Sequence, residues 1–128
     1  MAIQLNHTIV PANDAKASAD FLAEILDVSP PTPFGPFWNV SLDNGVTLDF
    51  QDSPGELTIG HYAFLVSEEE FDQIFARIRA RELPYWADPR HQRPNQINRN
   101  DGGRGLYWND PSGHYLEILT RPYGSGSG

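Results

Sequence analysis

From Ile3 to Ile9 the chain alternates, with Ile3, Leu5, His7 and Ile9 on one face and Gln4, Asn6 and Thr8 on the other. A period of two predicts a strand, which Pro11 should end. The period then changes. Ser18, Phe21, Leu22, Ile25 and Leu26 recur at helical spacing behind Asn13 or Asp14, either of which can cap a helix. Four prolines between Asp27 and Pro36 predict an irregular or edge-like stretch. Phe37 to Leu42 and Val46 to Phe50 read as short strands, and Asp43-Asn44-Gly45 between them is a hairpin signal.

The same order then returns. His61 to Val66 is strand-like, Ser67 and Glu70 fit a capping box, and Phe71, Ile74, Phe75 and Ile78 form the stripe of a second helix. Leu83 to Ala87 predicts a short strand, and a long polar loop runs from Asp88 to about Gly103. Gly105 to Asn109 and His114 to Thr120 close the pattern as a hairpin around Asp110-Pro111-Ser112-Gly113. His7 and His61 each begin a strand that leads into a helix, and Asp49 and Glu117 each stand four residues after a hairpin glycine. The histidines are 54 residues apart and the carboxylates 68, the excess of 14 matching the extra loop of the second half. Internal duplication follows, at a period of about 55–65 residues. The expected fold is α+β: two tandem βαβββ modules, about 3–52 and 60–122, forming a curved, partly open mixed β-barrel with flanking helices. Each module alone has too little apolar surface to be stable.

A chain of 128 residues suits one domain, here 1–122, and 39% hydrophobic residues suffice for a core. Residues 123–128, with their Gly-Ser repeat, read as a flexible tail. The net charge of -8 disfavours phosphate backbones and anionic lipid, so neither nucleic acid nor membrane is expected as a partner. No apolar run reaches the ~18 residues of a membrane span, and no signal peptide is recognisable, which makes the cytoplasm the expected compartment. The absence of cysteine excludes disulfides, thiolate metal sites and a cysteine nucleophile. Nucleophile-elbow, phosphate-loop and zinc-protease motifs are also missing, so hydrolase and nucleotide-binding classes lack support.

Any metal must therefore sit on imidazole, carboxylate, carbonyl or water. Glu117 interrupts Leu116-Glu117-Ile118-Leu119, and a carboxylate in such a run is costly to bury without a cation or several donors. His7, His61 and Glu117 can share one concave side if the modules pair about a pseudo-twofold axis. Two imidazoles and a carboxylate form a facial triad that suits Fe(II) and leaves about three positions open; Mn(II), Ni(II), Co(II) or Zn(II) would also accept it. Asp49 holds the fourth symmetry-related position, read as a hydrogen-bonding neighbour or surface residue more than a ligand. Arg104 could clamp a substrate carboxylate with Tyr107 as a donor, or form a surface salt bridge. His91, in the polar loop, is a candidate for substrate contact or acid–base work, and His114 reads as a solvated turn residue. Trp38, Trp86 and Trp108 could line a pocket or simply fill the core.

The segments Leu5-Asn6-His7-Thr8, Gly60-His61-Tyr62-Ala63-Phe64 and Asp110-Pro111-Ser112-Gly113-His114-Tyr115-Leu116-Glu117-Ile118 resemble the vicinal oxygen chelate superfamily. That group contains glyoxalase I, extradiol dioxygenases, fosfomycin-resistance transferases, methylmalonyl-CoA epimerase and bleomycin-resistance proteins. The resemblance implies one divalent metal on His7, His61 and Glu117, bidentate chelation of a small oxygenated substrate, and a homodimer in which His7 completes either its own site or its partner's. Its final motif is specific to the superfamily, not to one reaction. An extradiol-type dioxygenase, an isomerase or lyase, and an antibiotic-binding protein without turnover all remain open readings.

Overall fold

The computed structural model describes residues 2–125, which divide at Thr58/Ile59 into two compact units. In the first, β1 (His7–Ala12) leads into α1 (Ala15–Leu26), followed by β2 (Thr32–Phe34), β3 (Phe37–Ser41) and β4 (Thr47–Asp52). The four strands form one sheet in the order β1-β4-β3-β2, with β1 and β4 parallel and the other pairs antiparallel. In the second, β5 (His61–Leu65), α2 (Glu68–Ala80), β6 (Gly105–Asn109) and β7 (Tyr115–Leu119) give a three-stranded sheet in the order β5-β7-β6. The chain is thus α+β, with two sheets, two helices and no closed barrel among the described residues.

The helices start where their capping chemistry allows. Asp14 accepts from the Ala17 N–H at 3.1 Å, and Asp52 at the end of β4 accepts from the Ala15 N–H at 2.7 Å. The Ser67–Glu70 capping box is present in both directions. The stripe of α1 is turned from its predicted line: Ala19 and Ala23 are buried, while Phe21 and Leu26 are only partly covered. Alanine lets the helix lie close to the sheet, which Phe21 at its centre would prevent. In the second unit Leu106, Trp108, Leu116 and Ile118 are buried on one sheet face, and α2 contributes Phe71, Ile74 and Ile78.

Three elements differ from expectation. β1 begins at His7 and continues through Pro11, because it is an edge strand and a missing N–H is tolerated on its free side. The strand expected at Leu83–Ala87 contracts to bridges at Trp86, which pairs with Tyr107 and Pro94. The polar loop after it is built, not loose. Asp88 accepts from the N–H groups of Gln92 and Arg93, and buried Asn98 bonds Ala87 through its side chain and Gly105 through its backbone. Of the tail, Tyr123 to Ser125 are described, and residues 126–128 lie outside the described residues.

The two ladders repeat one register. Ile9, two residues after His7, is opposite Asp49; Ala63, two residues after His61, is opposite Glu117. The duplication inferred from spacing therefore holds at the level of individual backbone pairs. Because the caps close both helices, Asp14→Ala and Ser67→Ala should each lower stability by about 1 kcal/mol in urea unfolding. No change in either midpoint would show that these caps are dispensable.

Candidate functional site

In β7 the side chains of Tyr115, Glu117 and Leu119 alternate with Leu116 and Ile118, and the register puts Tyr107 of β6 and Ala63 of β5 beside Glu117. His61 opens β5 on the same face. Its Nε2 lies 2.8 Å from Oε1 of Glu117, with the imidazole 47% exposed and the carboxylate 2% exposed. The hydroxyl of Tyr123 donates to the other oxygen, Oε2, in a very short hydrogen bond. The Tyr107 hydroxyl stands 3.4 Å from that of Tyr123, and its ring lies 5.8 Å from the imidazole of His61. A buried carboxylate is thus divided between an imidazole on the open side and a phenol on the other.

These donor atoms fit a metal. Two ligands at ~2.1 Å from an ion and at right angles to one another are separated by about 3 Å, close to the His61–Glu117 spacing. Among the described residues no group of three His, Asp or Glu side chains is gathered for a metal. His7 belongs to the first unit, where it is exposed and holds its Nδ1 2.8 Å from Oδ1 of Asn6. It lines a cavity of about 340 Å³ within that unit, together with Ile9, Phe34, Phe37, Asn39 and Asp49. Asp49 is 7% exposed, and its Oδ1 accepts from Asn39 at 2.5 Å and Thr47 at 3.0 Å. Both of these partners come from its own sheet.

The remaining candidates separate. Arg104 does not face the pair. Its guanidinium binds Glu68 at 2.7 Å and Asp72 at 2.9 Å on α2 and lies over the ring of Phe71, so the substrate clamp gives way to the salt-bridge alternative. The ring of His91 is sandwiched 3.6 Å from Trp86 and 5.0 Å from Tyr115, and its Nε2 is buried without a partner. That nitrogen is enclosed by the stack, while the residue as a whole remains partly exposed. His114 is not a solvated turn residue. It is fully buried, its Nδ1 accepts from the Gly60 N–H at 2.8 Å, and Tyr62 meets it edge-on. The reason is local: the start of β5 needs an acceptor, and the hairpin turn aims the ring at it. Trp108 belongs to the core. Tyr123 has no signature in the sequence, because a residue after Pro122 at the head of a Gly-Ser run carries no periodic signal.

The chain matches the family model described as Glyoxalase/Bleomycin resistance protein/Dioxygenase superfamily over residues 4–118. It belongs to that superfamily. Its fold is shared with Oxidase ChaP-H2, at 63% identity and a TM-score of 0.95 over 99% of this chain and all of that one. Oxidase ChaP-H1 is likewise 63% identical, with a TM-score of 0.94 over 96% of this chain and 99% of that one. Among curated proteins, Glutathione transferase FosA of Serratia marcescens is 27% identical over 92% of this chain and 81% of its own length. The superfamily's glyoxalase fold accounts for the two like-registered sheets.

Burial raises the pKa of Tyr123 far above the ordinary phenol range, and its hydrogen bond to Glu117 adds to the rise. Burial also raises Tyr107 and Tyr62, the latter helped by the charge of Asp110. For each, the neutral form is the one the fold favours. Its contribution is complete below the ordinary value of about 10 and is lost as pH rises through the folded-state value. Alkaline ultraviolet titration should show tyrosinate appearing in an early and a late phase. Tyr62→Phe, Tyr107→Phe and Tyr123→Phe should each remove absorbance from the late phase; loss from the early phase would contradict these environments.

Proposed function

We propose that this superfamily member is a divalent-metal-dependent oxidase, of the extradiol-dioxygenase kind, acting on a small substrate that chelates through two neighbouring oxygens. The observation that carries the metal is the facing pair of His61 Nε2 and buried Glu117 Oε1. The likeness, at 63% identity, to Oxidase ChaP-H1 and Oxidase ChaP-H2 favours an oxidase over a transferase or lyase. His7, His61 and Glu117 are the proposed ligands, with Fe(II) preferred and Mn(II), Ni(II), Co(II) or Zn(II) accepted by the same donors. A bound divalent ion would supply Lewis-acid stabilisation of an ionised substrate oxygen and, as Fe(II), a redox partner for dioxygen.

The protein supplies the surroundings. Glu117 brings one negative charge that lowers the net charge of the centre, and its burial keeps that charge unscreened by water. The exposed imidazole of His61 leaves its side of the pair open to a substrate. Ile9, Phe34 and Phe37 provide apolar wall around His7, while Asn39 offers hydrogen bonding. Tyr107, held neutral, is a donor within reach of the same face. His7 comes from the first unit of the same chain or of a second copy; the second arrangement requires a homodimer.

Protein purified without chelator should hold about one ion per chain, His61→Ala should hold none, and Glu117→Gln should bind more weakly because the amide oxygen carries no charge. The Fe(II) form should consume oxygen with a panel of catechols and other vicinal diols or hydroxyketones. A metal-free protein that Fe(II) or Mn(II) cannot restore would favour a binding protein without turnover. Mixing His7→Ala with Glu117→Ala tests the source of His7. A site shared across a dimer should recover about a quarter of the wild-type metal, since about half the dimers are mixed and each rebuilds one of its sites. No recovery would put all ligands in one chain.

A further inference from the structure

Outside the proposed ligands, the contact that the ligand set leaves unexplained is made by Tyr123. The residue follows β7, past Arg121-Pro122, and is 44% exposed, yet its hydroxyl reaches the most buried carboxylate of the sheet. The segment that delivers it is seated by backbone and by glycine. The Gly124 N–H donates to Oδ2 of Asp101 at 3.1 Å, in the short 3-10 turn Asn100–Gly102. A Cβ at Gly103 would stand 2.6 Å from the Thr120 hydroxyl and 2.9 Å from Arg121, and one at Gly105 would stand 3.2 Å from the Tyr123 hydroxyl. Residues 120–124 therefore lie as a strap packed closely over Gly103, with the Tyr123 hydroxyl beside Gly105.

A phenol has one proton to donate. Tyr123 gives it to Oε2 of Glu117, so at 3.4 Å its oxygen can only accept from Tyr107. Two hydroxyls thus point in series at Oε2, while Oε1 faces Nε2 of His61. The oxygens of this carboxylate are no longer equivalent.

We infer that Tyr123 is a positioning residue for the metal centre: by holding Oε2 it makes Glu117 a one-oxygen ligand that presents Oε1. This rests on the metal reading above. A carboxylate free to turn can take an ion with both oxygens and fill a position that a chelating substrate needs. The strap keeps that position open.

The test uses Co(II) added to chelator-stripped protein, read by isothermal titration and by visible ligand-field absorption. Tyr123→Phe keeps the ring and removes the proton; it should weaken Co(II) binding about 10–100-fold and change the band positions or intensities. The thermal midpoint should fall, because the buried carboxylate loses a donor, while the chain stays folded. Gly103→Ala, which displaces the strap while keeping Tyr123, should reproduce the altered spectrum. If Tyr123→Phe fails to fold, a chain ending at Pro122 gives the same readout. Wild-type affinity and spectrum in the variant would overturn the positioning role and leave the metal reading intact. A wild-type protein that takes up no Co(II) would overturn both.

Discussion

A carboxylate stands in the middle of an apolar strand, and the second unit is arranged around it. Glu117 is 2% exposed, between Leu116 and Ile118 on one ladder and opposite Tyr107 and Ala63 on its neighbours. Left without partners, a charge so placed costs several kcal/mol even after the protein relaxes. The imidazole of His61 and the hydroxyl of Tyr123 answer that cost from opposite sides. What remains is a negative oxygen pointing toward an open imidazole, which is an arrangement suited to a cation.

The duplicated fold runs the same register twice and reaches different ends. In the first unit the acid is Asp49, one methylene shorter, and Asn39 and Thr47 satisfy it from its own sheet. In the second unit the residues directly opposite are Tyr107 and Ala63, and Glu117 is met by His61 of β5 and by Tyr123 beyond β7. The first unit thus holds an exposed histidine beside a cavity with apolar walls, and the second a histidine–carboxylate pair. The shared register thus carries two acids with different neighbours.

Around the pair the second unit replaces a strand with a structured loop. Trp86 bridges to Tyr107 and Asn98 to Gly105, and the residues between them fold back so that His91 lies between Trp86 and Tyr115. His91 adopts φ 58, a left-handed backbone that tolerates few side chains, and the flanking rings hold it there. The loop so fixed stands on the face that carries His61 and Glu117. Membership of the glyoxalase/bleomycin resistance protein/dioxygenase superfamily fits this repeated scaffold.

Sequence alone determined the elements whose signals are local. Period-two and helical stripes specify both helices and both hairpins, Ser67 and Glu70 their capping box, and matched offsets from Gly45 and Gly113 the duplication. The His61–Glu117 pair was legible for the same reason: strand alternation and register fix which side chains share a face. Tertiary structure decided everything that depends on which of several partners wins. Arg104 went to Glu68 and Asp72, His114 to the Gly60 N–H, His91 into an aromatic stack, and Tyr123 from an apparent tail to the carboxylate. Such choices rest on contacts between residues far apart in the chain, and periodicity carries no information about them.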